Sequence, residues 1–152
     1  MFIKAYAART FANDPLQKFM FRVTIPGLPT GIGFQKVGGL TREVGVVEYL
    51  EGLYQYTHKL PGREKVGEVT LERGAYASKD LEALYKKILG TNGSRVTVTI
   101  EILNRFGETK RSYTLEDAWV SKWEGSDLDA TSDDVAIEKM TLQFERFLDP
   151  TN

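Results

Sequence analysis

Val96, Val98, Ile100 and Ile102 alternate without interruption with Thr97, Thr99 and Glu101. Successive side chains of a strand point to opposite faces, so this period of two predicts a β-strand with one apolar and one hydrophilic face. Such a strand needs strand neighbours along its edges and an apolar layer beneath it. The same period recurs elsewhere. Phe19, Phe21, Val23 and Ile25 form a run closed by Pro26-Gly27, and a glycine-rich return through Gly31 and Gly33 leads to Phe34 to Val37. Gly38-Gly39 breaks the pattern before Glu43 to Leu50, which is rich in Val and Tyr. Val66 to Arg73 reads as a strand stopped by Gly74, and Asn104 to Gly107 as a hairpin turn into Thr109 to Leu115. Trp119, Val120 and Trp123 follow, then a polar, acidic turn from Gly125 to Asp134. The last strand is expected over Val135 to Leu148, with Ala136, Met140, Leu142 and Phe144 in one phase.

One segment has the helical period instead. Leu81, Leu84, Tyr85, Ile88 and Leu89 share a face of a helix predicted over about 79–89. Ser78 is placed to cap it, Asp80 and Glu82 stand in its first turn, Lys86 and Lys87 in its last, and Gly90 ends it. The expected fold class is therefore mainly β: an antiparallel β sandwich or barrel with one docked α-helix. With 152 residues and no internal repeat or linker, the chain is expected to make a single domain over 15–148. An N-terminal arm, 1–14, ends at the turn signal Asn13-Asp14-Pro15, and a short tail, 149–152, follows the last strand.

Several chemistries are excluded at this level. The absence of cysteine removes disulfides, thiolate zinc sites and a cysteine nucleophile. His58 is the only histidine, no Gly-x-Ser-x-Gly elbow presents a serine, and Gly62 to Gly67 lacks the spacing of a phosphate loop. Neither an enzyme nor a cofactor is expected. Asp127, Asp129, Thr131 and Glu138 fall at relative positions one, three, five and twelve of a calcium loop, but Ser132 stands where that loop needs glycine. The simpler reading is a polar turn ordered by side-chain to backbone bonds. Lys plus Arg (20) nearly balance Asp plus Glu (21), which argues against binding nucleic acid over the whole surface and does little to keep copies apart. No apolar run approaches the roughly 20 residues of a membrane-spanning helix, and Met1 to Thr10 lack the apolar core of a secretory signal. Folding in a cytoplasm is expected.

Leu53 to Lys65 stands apart, holding Tyr54, Tyr56, His58 and Leu60-Pro61-Gly62. The Pro-Gly pair is expected to prevent a regular strand there, leaving a connecting loop. Aromatic side chains in such a loop are usually covered, either by their own domain or by a neighbouring copy.

The order of segments resembles the tail tube proteins of contractile-tailed phages and related phage-tail-like injection particles, and more distantly the type VI secretion tube protein. The resemblance is carried by Gly38-Gly39-Leu40 followed by Val47-Glu48-Tyr49 and Glu51-Gly52, then by Leu60-Pro61-Gly62-Arg63. Val69-Thr70-Leu71-Glu72-Arg73-Gly74 and the short helix come next. Ala118-Trp119-Val120, Lys122-Trp123, Asp129-Ala130-Thr131-Ser132 and Val135-Ala136-Ile137-Glu138 complete it, in one order over about Pro15 to Leu148. The arm before Pro15 is somewhat longer than in the compact injection-particle members, and Leu53 to His58 is unusually rich in tyrosine.

The resemblance implies a structural subunit whose hexameric rings stack into a hollow conduit inside a contractile sheath. Its partners would be other copies of itself, the sheath, baseplate and tail-terminator proteins, and a tape measure protein in the lumen. DNA would pass through without specific binding, in a virion tail assembled in the host bacterial cytoplasm. An injection particle that delivers protein is the alternative setting. On this reading Tyr54, Tyr56, His58, Lys59, Leu60, Pro61, Gly62 and Arg63 contact adjacent subunits. A conduit must not hold what passes through it, so its wall is expected to be polar or acidic. Glu43, Glu48, Thr97, Thr99 and Glu101 are the candidates for facing the lumen. A second alternative is a carbohydrate-binding β sandwich with Trp119, Trp123 and the tyrosines as a stacking shelf.

Overall fold

The alternation from Val96 to Ile102 organises the molecule. In the computed structural model, which describes residues 14–28, 33–76, 78–90 and 95–148, β6 (Val96–Leu103) lies between β1 (Phe21–Thr24) and β7 (Thr109–Glu124). All three pair antiparallel, with Val23 opposite Ile100 and Ile100 opposite Tyr113. On the outer face the same register aligns Thr24, Thr99 and Thr114 in one row. β8 (Ile137–Gln143), β5 (Val69–Gly74) and β2 (Lys36–Gly38) continue the sheet from the far half of β7. β9 (Arg146–Leu148) pairs with the near half. The sheet does not close, so among the described residues this is an open sandwich rather than a barrel.

β7 joins the two halves. Leu115 pairs with Val98 on one side and Phe147 on the other, while Trp119 to Glu124 pair with β8. The expectation of a strand ending at Leu115 is corrected: β7 runs on for 16 residues. Asp117 takes a left-handed conformation (φ 53°), one that Asp tolerates better than most residues, close to where the β6 register shifts between Val96 and Val98. The strand bends there and survives a polar Glu116-Asp117 pair that reads as a break. The single strand expected over Val135 to Leu148 is likewise two. The chain breaks ladder at Phe144-Glu145, where the Glu145 N–H donates to the Glu116 carbonyl (3.1 Å).

Val69, Leu71, Val98, Ile100, Leu115, Val120, Met140 and Leu142 form the core between the halves. The helix α1 (Asp80–Gly90) covers it with Leu81 and Leu84, both buried. The side chains of Lys87, Ile88 and Leu89 lie outside the described residues, as do the arm to Asn13, the tail 149–152, Gly31 and Asn92-Gly93. Ser78 is not the cap. Its hydroxyl donates to the Asp80 carboxylate (2.8 Å), and Lys79, at φ 50°, precedes the first turn with its carbonyl accepting from the Ala83 N–H (3.0 Å).

Beneath the helix start lies a buried charge group. Arg73 and Glu138 stand opposite each other in β5 and β8, 2% and 6% exposed, with the guanidinium 3.9 Å from the carboxylate. Asp80 approaches the same guanidinium at 3.9 Å, and the Tyr76 ring lies 4.7 Å from it. Glu138 is thus committed to Arg73, away from the turn that carries Asp127 and Asp129. That turn is held locally, with Asp129 accepting from the Thr131 N–H (2.9 Å) and hydroxyl (2.7 Å). These bonds hold the Asp129 carboxyl below the usual carboxylate range, the backbone N–H first.

Candidate self-association surface

The remaining two strands leave the sandwich. β3 (Arg42–Tyr49) and β4 (His58–Val66) pair only with each other, as a two-stranded ribbon that continues the β2 and β5 pair outward. A glycine joint marks the departure. Gly39 has φ +87°, and a Cβ there would lie 2.1 Å from the Glu68 carbonyl oxygen. A Cβ on Gly67 would lie 2.1 Å from the Thr41 hydroxyl, and the Gly67 N–H donates to the Thr41 carbonyl (3.2 Å). Only glycines let the two backbones cross this closely. At the base of the ribbon the Arg42 guanidinium lies 5.5 Å from the centre of the Phe147 ring.

The expected loop is therefore mostly strand, and Leu60-Pro61-Gly62 sits inside it. Proline is excluded from central strands because it cannot donate to a ladder, but each strand of a two-stranded ribbon has a free edge. Pro61 stands opposite Val46, and the register shifts between Val44 and Val46, where β4 carries one extra residue. Gly62 lies against the Gly45 backbone there, with room for no larger side chain unless the ribbon gives.

Tyr54, Tyr56 and His58 are brought together, and Tyr49 joins them. His58 stacks on Tyr49 with centroids 5.0 Å apart, and Tyr54 and Tyr56 stand edge-on to it at 5.1 and 5.3 Å. The Glu51 carboxylate lies 3.3 Å from His58 Nε2. Lys59 pairs with Glu48 across the ribbon (4.0 Å), and Leu60 faces Val47. Arg63 is exposed. Sequence reasoning missed the β3 half of this surface. Val44, Val46, Val47 and Tyr49 are all exposed, as are Leu50 and Leu53 at the tip. The available signal was Val46-Val47, two adjacent apolar residues that no one-sided strand accommodates.

The five residues expected to face a lumen do not share one surface. Thr97, Thr99 and Glu101 project from the outer face of β6, whereas Glu43 and Glu48 are on the ribbon. Five positions apart in a continuous strand, these two glutamates point to opposite faces. Glu101 is not a free acid either: it accepts from Arg22 (2.6 Å) and from the Thr109 hydroxyl (3.3 Å). The outer face of this half is a hydroxyl row with a compensated ion pair. Trp119 and Trp123 do not form a shelf. A register shift between Val120 and Lys122 inverts the phase, so Trp123 packs on the core while Trp119 stays outside.

Among the described residues no group of three His, Cys, Asp or Glu is arranged to hold a metal, and no helix is long and apolar enough to cross a membrane.

The family described as T4-like virus tail tube protein gp19 matches residues 17–148. A chain in the sheath-tube complex of the extracellular contractile injection system PVC, in its extended state, is 25% identical with a TM-score of 0.81, covering 91% of this chain and 93% of that one. A chain in the baseplate of the anti-feeding prophage is 26% identical with a TM-score of 0.76, covering 89% and 95%. A type six secretion system protein shares the fold at 15% identity and a TM-score of 0.52, covering 83% and 79%. No curated protein matches.

Proposed function

This chain belongs to the T4-like virus tail tube protein gp19 family, and from that premise we propose that it builds a conduit by joining copies of itself. It is a tube subunit: hexameric rings stack into a hollow tube within a contractile sheath, and the role is structural rather than catalytic. The observation that carries this reading is the ribbon. Among the described residues its Val44, Val46, Val47 and Leu60 stand exposed, and a sheet with open edges polymerises unless it is blocked, covered or closed. Ring-on-ring stacking uses unlike surfaces and grows until capped, which suits a small domain to a long filament. Sheath, baseplate and terminator proteins are its partners, with a tape measure protein inside the growing tube.

DNA is the cargo of a phage tail, and the charge-compensated hydroxyl face of β1, β6 and β7 suits a wall that does not hold phosphates. A second setting, a particle that injects protein, is favoured by the likeness to chains of PVC and the anti-feeding prophage.

The test is negative-stain microscopy of the concentrated protein, which should show hollow tubes. Leu60→Asp, or removal of Tyr54 to His58, should leave a folded chain that forms none. Normal tubes from both variants would reject the ribbon as the contact. Sequencing the nucleic acid retained in nuclease-treated particles separates the two cargoes.

A further inference from the structure

The chain holds one histidine, and the fold sets it at the outer end of the ribbon among three tyrosine rings. Histidine is the side chain whose charge ordinarily changes between pH 5 and 8. With no second histidine and no cysteine, no other side chain belongs to a type that ordinarily titrates in that window. His58 opens β4 and pairs with Tyr49, the last residue of β3, whose ring lies nearly parallel to the imidazole at 20°. Tyr54 and Tyr56 enclose it from the connecting turn. Glu51 begins that turn, which closes where the Tyr54 N–H donates to the Glu51 carbonyl (3.0 Å). The Glu51 carboxylate, 3.3 Å from Nε2, therefore belongs to the same turn as the rings. Nε2 itself is shut off from solvent and has no aligned hydrogen bond among the described residues.

We infer that His58 is a proton-operated latch on the ribbon tip: taking up a proton, it draws the Glu51 to Tyr54 turn against Tyr49, and giving it up, it lets that turn loosen. An imidazolium at this place faces a carboxylate and lies on the ring of a tyrosine, two surroundings that attract a cation. A neutral ring keeps the stacking and loses the charge. Lys59, the next residue of β4, is matched by Glu48 across the ribbon, so Glu51 is the charge left to meet the imidazole. Leu50 and Leu53, 80% and 93% exposed, ride on the same turn. A tip held in one arrangement before copies meet has less ordering to lose on association. The inference rests on the reading of the chain as a tube subunit and adds a control to it: acid favours the joining of copies, and joining weakens as pH rises through the histidine range.

The experiment compares the parent, His58→Gln and Glu51→Gln at about pH 5.5 and about pH 7.5, either side of the histidine range. In dilute, unassembled protein, heteronuclear NOE values of the Glu51 to Tyr56 amides read the order of the tip. At high concentration, pelleting gives the critical concentration for tubes. The parent tip should be more ordered at the lower pH, and its critical concentration should rise about five-fold at the higher, the size of one partly exposed cation contact. His58→Gln, neutral throughout, should show one value of each quantity at both pH values, and Glu51→Gln should show a smaller response than the parent. The α-amino group is common to all three and cancels in the comparison. Equal tip order at both pH values in the parent, or a parent-like response in His58→Gln, would overturn the latch. So would tubes whose critical concentration ignores pH. A tip that responds in dilute protein with no tubes at either pH would keep the latch and remove the tube reading, a separate failure. Should His58→Gln fail to fold, Glu51→Gln carries the comparison, and an undiminished response there would overturn the inference.

Discussion

Gly39→Ala tests whether the glycine joint aims the ribbon. An alanine there must hold φ near +87°, which costs about 1–2 kcal/mol for an L-residue. Its Cβ would also lie 2.1 Å from the Glu68 carbonyl oxygen and 3.5 Å from the Val69 Cα. The obstruction is backbone, which cannot swing aside as a side chain does, so the two chains must part, and overpacking of this kind costs about 1–3 kcal/mol. Together the loss should be about 3 kcal/mol, or a fall in Tm of about 6–12 °C for a domain of this size. The control is Gly38→Ala, one residue away, where nothing lies within 4 Å of the new Cβ. Urea unfolding of dilute protein measures the stability term, and pelleting at high concentration measures assembly. Gly39→Ala should lose both stability and sedimentable tubes, and Gly38→Ala should keep both. Equal midpoints and equal pelleting for the two variants would refute the reasoning.

Glu138→Gln should destabilise the chain by about 3 kcal/mol, the lower end for breaking a buried pair, because Asp80 still stands 3.9 Å from the Arg73 guanidinium. Arg73→Met with Glu138→Leu should recover most of that loss in the same unfolding assay. Asp129 should titrate below an ordinary aspartate in carboxyl-carbon NMR, and Thr131→Ala, which removes one of its two donors, should raise the midpoint part of the way. The depressed carboxyl stabilises the folded state above the unfolded pKa of about 3.9, and that contribution is lost as pH falls through the lower folded value.

Much of the sandwich was legible because its information is local. The Val96 to Ile102 alternation, the Pro26-Gly27 turn and the Asn104 to Gly107 hairpin are each written in adjacent residues. In the structure Gly107 takes φ +80° and the Asn104 side chain accepts from the N–H groups of Phe106 and Glu108. What stayed hidden depends on pairing. Polar Glu116-Asp117 looks like an end until partners on both sides of β7 carry the strand through it. The phase of Trp123 changes only because of a register shift that no residue announces. Pro61 reads as a breaker unless its strand is known to have a free edge. The candidate contacts Tyr54, Tyr56 and Leu60 were visible as apolar residues between strands, whereas the division of the wall candidates between β6 and the ribbon was hidden, because facing directions require knowing which strand neighbours which.

Because β7 serves both halves of the sandwich, neither can come apart while the other stays whole. Stripping β8 away leaves Val120 and Trp123 without their ladder, and stripping β6 away leaves Leu115, near the middle of the same strand, held only by β9. Amide exchange from β5, β6 and β8 should therefore converge on one opening energy rather than two. A subunit tied through a single beam can carry load along its length, a useful property in a part driven forward when a surrounding sleeve shortens.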